Sequence, residues 1–140
     1  VLRSVHMKKA LTVRFRVDFD NDHSIGVGKI KLLEGIARTG SLSQAARDLG
    51  MSYRRAWLLV EDVKLSFDQA AVESSAGGPH GGGAALTDFG KQLITRYRKL
   101  ESDVQLLART SLRDIAGHAA SRSKPGVNPT SVKRTLPLVK

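Results

Sequence analysis

Apolar and polar residues alternate strictly near the start of the chain, over residues 11–19. The apolar positions are Leu11, Val13, Phe15, Val17 and Phe19, separated by Thr12, Arg14, Arg16 and Asp18. Because successive side chains of a strand point to opposite faces, this period of two predicts a half-buried strand. The two arginines on its polar face can contact DNA or a partner, or can simply be solvated.

Helical periodicity begins at residue 27. In residues 27–38 the apolar residues Ile30, Leu33, Ile36 and Ala37 share one face, which predicts a helix packing beneath the next two. Those two helices occupy residues 40–67. The first has apolar positions Leu42, Ala45, Ala46 and Leu49, and the second has Ala56, Leu59, Val60, Val63 and Phe67.

The signals between these two helices indicate a tight turn. Ser41 or Ser43 can cap the first helix, and Ser52 can cap the second. Gly50 stands where the chain needs a residue that tolerates positive φ. Two helices joined in this way form a helix-turn-helix, whose second helix enters the major groove of DNA.

The start of the second helix carries side chains suited to DNA. Ser52, Tyr53, Arg54 and Arg55 offer hydroxyls, an aromatic ring and two guanidinium groups. Arginine can bind guanine O6 and N7 bidentately or can hold phosphates. However, many small α proteins contain a helix, a glycine turn and a second helix, and adjacent arginines at a helix start are often only solvated.

A glycine-rich segment follows the helix pair. Residues 70–75 and 84–87 are predicted to be short strands on either side of a loop at residues 77–83, which makes a β-hairpin wing. A phosphate-binding P-loop is not favoured, because Gly83 is followed by two alanines instead of Lys and Ser or Thr. The loop amides and His80 can contact DNA phosphates, or His80 can be solvated.

A long helix is predicted over residues 87–116, with Thr87 as its N-cap. Its apolar positions follow a near-heptad spacing: Phe89, Leu93, Tyr97, Leu100, Val104 and Leu107, with Ser111 continuing the series. A second copy of the helix can cover this seam, which favours a dimer. Alternatively, the first half packs on the domain core and the second half frays.

Composition limits the classes of function. The 140 residues are 41% hydrophobic, which suits one globular domain, and the formal charge of +10 points to a polyanionic partner. There is no cysteine, the four histidines are scattered, and no carboxylate pair converges, so we expect no enzyme, no metal site and no cofactor in this chain. No apolar run is long enough to span a membrane, and a cytoplasmic location is expected.

The two ends of the chain lack periodic patterns. We expect residues 1–10 to be disordered and interpret Met7 as the natural start, with the preceding residues as an added remnant. Residues 117–140 contain five Lys or Arg, no acid and three prolines, and are expected to form a basic, disordered tail. The folded domain is therefore predicted over residues 11–116.

Assembled in this order, the segments resemble the N-terminal DNA-binding domain of the ModE family of molybdenum-responsive transcriptional regulators. The resemblance covers about residues 26–110. It rests on GSLSQAA from Gly40, SYRRAW from Ser52, and GGPHGGGAALTDFG from Gly77. The first motif is also similar to LysR-type regulators, whereas the combination of the second with the glycine-rich wing is more specific.

Together, the segments and the resemblance predict a mainly α fold with a small β component: a winged helix-turn-helix with an N-terminal strand and a long C-terminal dimerisation helix. It implies a homodimer that binds a palindromic site in double-stranded DNA near molybdate-transport genes. The residues expected to contact DNA are Ser41, Gln44, Ser52, Tyr53, Arg54, Arg55, His80, Gly81, Gly82 and Gly83. Those expected at the dimer interface are Leu93, Tyr97, Leu100, Val104 and Leu107. Trp57 matches a family position and fits either packing or DNA contact.

The sequence departs from the family in one respect. Full-length members carry a C-terminal module that binds molybdate, and here a basic tail stands where that module would begin. Three explanations stay open: regulation without a sensor of its own, a fragment of a longer protein, or sensing by a separate partner protein. The alternative function is an interaction module that dimerises with a full-length regulator and modulates it.

Overall fold

Helices dominate the part of the chain that the structure describes. A computed structural model describes residues 11–78 and 81–119. The elements in chain order are β1 Arg16–Asp18, β2 Ser24–Gly26, α1 Val27–Thr39, α2 Leu42–Asp48, α3 Tyr53–Phe67, β3 Val72–Gly78, β4 Gly81–Leu86, α4 Asp88–Ser111 and α5 Arg113–Gly117. Antiparallel pairing joins β1 to β2 and β3 to β4. The expected fold class, mainly α with a small β component, is confirmed.

The N-terminal strand is shorter than the alternating pattern predicts. Only Arg16–Asp18 pairs with β2, although residues 11–15 keep the predicted alternation of half-buried and exposed side chains. β2 is too short to pair with residues 11–15, and a side-chain amide forms hydrogen bonds with their backbone instead. Gln105 of α4 accepts a hydrogen bond from the Val13 N–H (2.8 Å) and donates one to the Leu11 carbonyl (2.7 Å).

The helix-turn-helix has the caps and the turn that its sequence predicts. The Ser41 hydroxyl accepts a hydrogen bond from the Gln44 N–H, and the Ser52 hydroxyl accepts one from the Arg55 N–H, each at 3.1 Å. Of the two serines considered for the first cap, the earlier one takes the role. Gly50 has a φ of 67°, so the left-handed conformation expected in the link is confirmed.

Small residues let α1 and α2 approach closely. Ala45 and Ala46 are buried, and a Cβ added to Gly35 of α1 would lie 3.1 Å from the Ala45 Cβ. The buried face of α1 differs from the predicted one at two positions: Leu32 is buried, and Ala37 is exposed. The largest fully buried side chains of the core are Ile30, Leu32, Leu33, Ile36 and Val63.

The wing strands extend further into the glycine-rich segment than predicted. β3 runs to Gly78 and β4 begins at Gly81, although the sequence suggested strands that ended at residue 75 and resumed at residue 84. Gly83 pairs with Ser75 in this ladder. Glycine has low strand propensity, which hides such pairing from a sequence-based prediction. The glycines from Gly81 to Gly83 therefore belong to a strand and not to the loop.

The long helix begins as predicted and ends earlier. The Thr87 hydroxyl accepts a hydrogen bond from the Gly90 N–H (3.1 Å) and donates one to the Ala70 carbonyl (2.7 Å). The predicted helix over residues 87–116 is interrupted at Leu112, whose ψ is 14°, so that α4 ends at Ser111 and the short α5 follows.

The first half of α4 packs on the body of the same chain. Tyr97 is only 5% exposed, its ring stacks on Phe15 at 5.2 Å, and its hydroxyl donates a hydrogen bond to the Phe15 carbonyl (3.3 Å). Leu93 packs against both groups of buried core residues, the larger one around Leu33 and Ile36 and the smaller one of Ile25, Ile30 and Tyr97. The Arg98 guanidinium binds Glu34 of α1 (2.6 Å) and Glu101 (2.7 Å), and these hydrogen bonds raise its pKa. Contacts within one chain therefore hold this half of the helix.

Candidate nucleic-acid interface

The N-terminal turn of α3 is presented to solvent. Ser52, Tyr53, Arg54 and Arg55 are all exposed. Ala56, the next residue, is fully buried and packs in the core beside α1 and α2. The Ser52 cap fixes where the helix begins, and the buried alanine fixes which side faces the core. The four predicted DNA-contacting residues of α3 therefore project from the body on one continuous turn.

Arg54 and Arg55 have no ion pair or side-chain hydrogen bond within the described residues. In contrast, Arg98 is held between two carboxylates, and Arg16 pairs with Asp18 at 2.7 Å. Both guanidinium groups lie at the positive end of the α3 dipole, which favours an anionic partner. They are available to bind a phosphate or the guanine edge.

Two further side chains on α3 are exposed beyond the predicted site. Trp57 is 47% exposed and Leu58 is 49% exposed, so neither is a core residue. Of the two roles that fit Trp57, its exposure therefore excludes packing in the buried core. Leu58 was missed by sequence reasoning, although its spacing of four residues from Arg54 places both on the same side of the helix.

The two α2 residues predicted to contact DNA have partners inside α2. The Ser41 hydroxyl accepts the capping hydrogen bond, but its own O–H can still donate. The Gln44 amide donates to Asp48 (2.7 Å) and accepts from Arg47 (2.9 Å). A base or phosphate would have to compete with these hydrogen bonds for the Gln44 side chain.

The wing is fastened to the turn before α2. The Ala84 N–H donates a hydrogen bond to the Gly40 carbonyl at 2.9 Å. A Cβ on Gly83 would lie 2.9 Å from the same carbonyl and would also collide with the Ser75 hydroxyl. Gly83, predicted as a DNA-contacting residue, thus has a packing reason to be glycine. His80 lies outside the described residues.

A polar cluster connects α3 to the N-terminal part of the chain. Asp62 of α3 accepts hydrogen bonds from the His23 ring (2.7 Å) and from the Lys29 ammonium group of α1. Asn21 donates to the carbonyl of Ser66 at the end of α3 (3.0 Å). Burial acts to raise the pKa of Asp62, but the hydrogen bonds from Lys29 and His23 outweigh it and hold the pKa below its ordinary value.

Sequence reasoning missed this cluster because its members come from two distant stretches of the chain, residues 21–29 and residues 62–66. The only signal was indirect: a carboxylate at residue 62, seven residues after Arg55 along α3. The cluster ties α3, the helix that carries the exposed arginines, to α1 and to the segment before β2.

The predicted dimer seam divides into a buried half and an exposed half. Leu93 and Tyr97, both predicted at the dimer interface, also pack within their own chain, where Leu93 is half-buried and Tyr97 is 5% exposed. Leu100 is 42% exposed and Leu107 is 66% exposed, with the half-buried Val104 between them. The apolar surface open to a second copy therefore lies on the second half of α4.

Within residues 11–78 and 81–119, no three His, Asp or Glu side chains are grouped so that they could hold a metal ion. In the same residues no helix combines the length and apolarity needed to cross a bilayer.

The fold and this surface define a winged helix-turn-helix protein: a supporting helix, two helices joined by a glycine turn, and a β-hairpin tied to the turn that precedes α2. No family model matches the chain. Individual relatives do match it, and they specify the class further.

The chain is 36% identical over 92 residues to the molybdenum transport protein ModE of Azotobacter vinelandii. It is 43% identical over 77 residues to the molybdenum-pterin-binding protein MopA of Rhodobacter capsulatus. It is 44% identical over 69 residues to the DNA-binding transcriptional dual regulator ModE of Escherichia coli K12. The matched segments are 66%, 55% and 49% of this chain. The resemblance to ModE regulators is confirmed across this part of the sequence.

The match is confined to a part of each relative. The aligned segments cover 34%, 29% and 26% of the three relatives, so the chain spans about a third of their length or less.

Proposed function

We propose that this protein is a transcriptional regulator that binds double-stranded DNA as a homodimer and controls genes of molybdate transport or molybdenum metabolism. The observation that carries the proposal is the pair Arg54 and Arg55. Both are exposed and, within the described residues, unpaired, at the capped start of the second helix of a winged helix-turn-helix. A folded body that leaves two cations free at that position is suited to a polyanion.

Each part of the interface has a separate role in this proposal. α3 enters the major groove, where Arg54 and Arg55 bind base edges or phosphates and Tyr53 positions the helix. The N-terminus of α2 with Ser41 and Gln44, together with Gly81 to Gly83 of the wing, lies along the phosphate backbone. Two copies joined through Leu100, Val104 and Leu107 place two such surfaces on a palindrome.

The names of the relatives support the molybdenum part of the proposal. One is a transcriptional regulator and two others are named for molybdenum transport or molybdenum-pterin binding. Molybdate is the expected ligand of full-length relatives, and we assign no residue of this chain to it. A full-length paralogue or a separate sensor protein is a further partner in this proposal.

Selection of bound sequences from random duplex DNA, with and without molybdate, tests the proposal. A palindromic motif is the expected result. Weak, salt-sensitive binding without a sequence motif would contradict sequence-specific regulation. Binding to a full-length regulator together with no DNA affinity of its own would favour an interaction module instead.

Arg54→Ala and Arg55→Ala test which residues carry recognition. If either arginine binds a guanine bidentately, its loss weakens binding to the selected site by about 1–3 kcal/mol and relaxes the base preference at one position. Fluorescence anisotropy titrations measure both effects. Arg113→Ala is the control, because it removes an exposed cation from α5. Unchanged affinity in both α3 variants would contradict the assignment.

A further inference from the structure

Leu58 presents an apolar side chain on the outer face of α3. The side chain is 49% exposed, although Ala56 and Val63 on the same helix are buried. Four residues separate Leu58 from Arg54, so the two side chains are neighbours on the helix surface. Burying a leucine gains free energy, and the folded chain leaves this gain unrealised on the surface that carries the free guanidinium groups.

The position along α3 places Leu58 within reach of the same groove. Four residues advance a helix by about 6 Å, which is less than two base-pair steps of about 3.4 Å each. A helix whose first turn contacts base edges therefore brings its second turn to a base pair within two steps. Leu65, the next leucine on this face, lies a further seven residues along α3 and is 66% exposed.

The chemistry of the major groove limits what Leu58 can recognise there. Base edges offer hydrogen-bond donors and acceptors that a leucine cannot satisfy, and covering them without a partner is unfavourable. Among the four bases, only thymine presents an apolar group, its 5-methyl. An apolar side chain on this turn is thus attracted to a thymine and disfavours the other bases.

We infer that Leu58 is a specificity-determining residue that contacts the 5-methyl group of a thymine in each half-site, within two base pairs of the base read by Arg54. The inference rests on the proposed function and adds to it a base preference that arginine contacts do not supply. Recognition on α3 then combines a hydrogen-bonding contact with an apolar one on adjacent turns.

Replacing thymine by uracil tests this inference, since the change removes the methyl group and leaves base pairing intact. Each thymine of the selected site is replaced in turn, and binding is measured by fluorescence anisotropy for the wild type, Leu58→Ala and Leu65→Ala. For the wild type, uracil at one position per half-site is expected to weaken binding about three- to fivefold. In Leu58→Ala this effect is expected to disappear, and in the control Leu65→Ala it is expected to persist.

The outcomes separate the inference from the proposed function. If uracil weakened wild-type binding at no position, or weakened wild-type and Leu58→Ala binding equally, the role of Leu58 would be overturned. Sequence-specific DNA binding would be unaffected by either result. Failure to select any motif would overturn the proposed function and the inference together. Alanine is compatible with a helix interior, and circular dichroism verifies that both variants stay folded.

Discussion

Asp62 shows how one carboxylate can tie α3 to two other parts of the chain. Its carboxylate receives His23 from the segment before β2 and Lys29 from α1. These contacts hold its pKa below the ordinary value, so the folded state favours the ionised form. In the unfolded chain the pKa returns to about 3.9. Asp62 therefore contributes stability that is present above this pKa and is lost as the pH falls through the lower folded value.

Asp62→Asn is expected to lower the free energy of unfolding by about 1–2 kcal/mol at pH 7, because the amide keeps the shape but loses two charge-assisted hydrogen bonds. The difference from the wild type should shrink as the pH falls below the unfolded-state pKa of about 3.9 and through the lower folded pKa, where the wild-type carboxylate becomes protonated. Denaturant unfolding at several pH values measures this.

Asp103→Asn is the matched control for Asp62, because Asp103 pairs with Lys99 (2.7 Å) on the exposed surface of α4. Exposed pairs four residues apart on a helix contribute about 0.3–0.5 kcal/mol. An equal loss in the two variants, or a loss for Asp62→Asn that does not vary with pH, would contradict the proposed origin of the stability.

At the scale of elements, the attachment of the wing depends on the absence of a side chain at Gly83. The Gly40 carbonyl accepts the Ala84 N–H and lies where the Cβ of a larger residue would stand. Both obstacles are close, and one of them is backbone. The strand therefore has to move away from the α1–α2 turn when residue 83 acquires a side chain.

Gly83→Ala is expected to destabilise the fold by about 1–3 kcal/mol and to weaken DNA binding through displacement of the wing. Gly28→Ala is the control: nothing lies within 4 Å of its added Cβ, and alanine is favoured over glycine within a helix. Thermal unfolding and anisotropy titrations measure the two effects. A Gly83→Ala protein as stable as the wild type would contradict this packing role.

Local signals predicted the elements well and the contacts between them poorly. The capping serines, Thr87 and the positive φ of Gly50 could be predicted because each depends on residues within three or four positions. The three-residue β2 was missed because its partner strand, and not its own pattern, defines it. The Gln105 amide that holds residues 11–15 was missed for the same reason.

The candidate site was predictable to the same extent. Arg54 and Arg55 follow from their place after a cap, whereas the exposure of Leu58 depends on which side of α3 the core occupies. The seam on α4 illustrates the limit most clearly. A heptad spacing indicates an apolar stripe, but it does not tell whether the N-terminal segment of the same chain or a second copy covers it. Phe15 covers Tyr97.

At the scale of the whole molecule, the second half of α4 carries apolar surface that the described residues leave uncovered. α4 has 24 residues, so it is about 36 Å long. Contacts with the body hold it as far as Gln105 on one side. Leu100 and Leu107 are exposed at a spacing of seven residues, the spacing at which two helices pack side by side. This surface supports the proposed homodimer, whose two copies of α3 would bind the two halves of a palindrome.

Leu107→Glu tests the dimer, and Leu106→Glu is its matched control, because both leucines are 66% exposed and they point about 100° apart around α4. We expect Leu107→Glu to weaken self-association at least tenfold, since two like charges would face each other across the twofold axis, whereas Leu106→Glu should leave it unchanged. Sedimentation equilibrium measures both. Because only the dimer spans two half-sites, Leu107→Glu should also reduce affinity for the palindrome while leaving binding to a single half-site intact. A monomeric wild type, or equal effects of the two substitutions, would place the interface elsewhere.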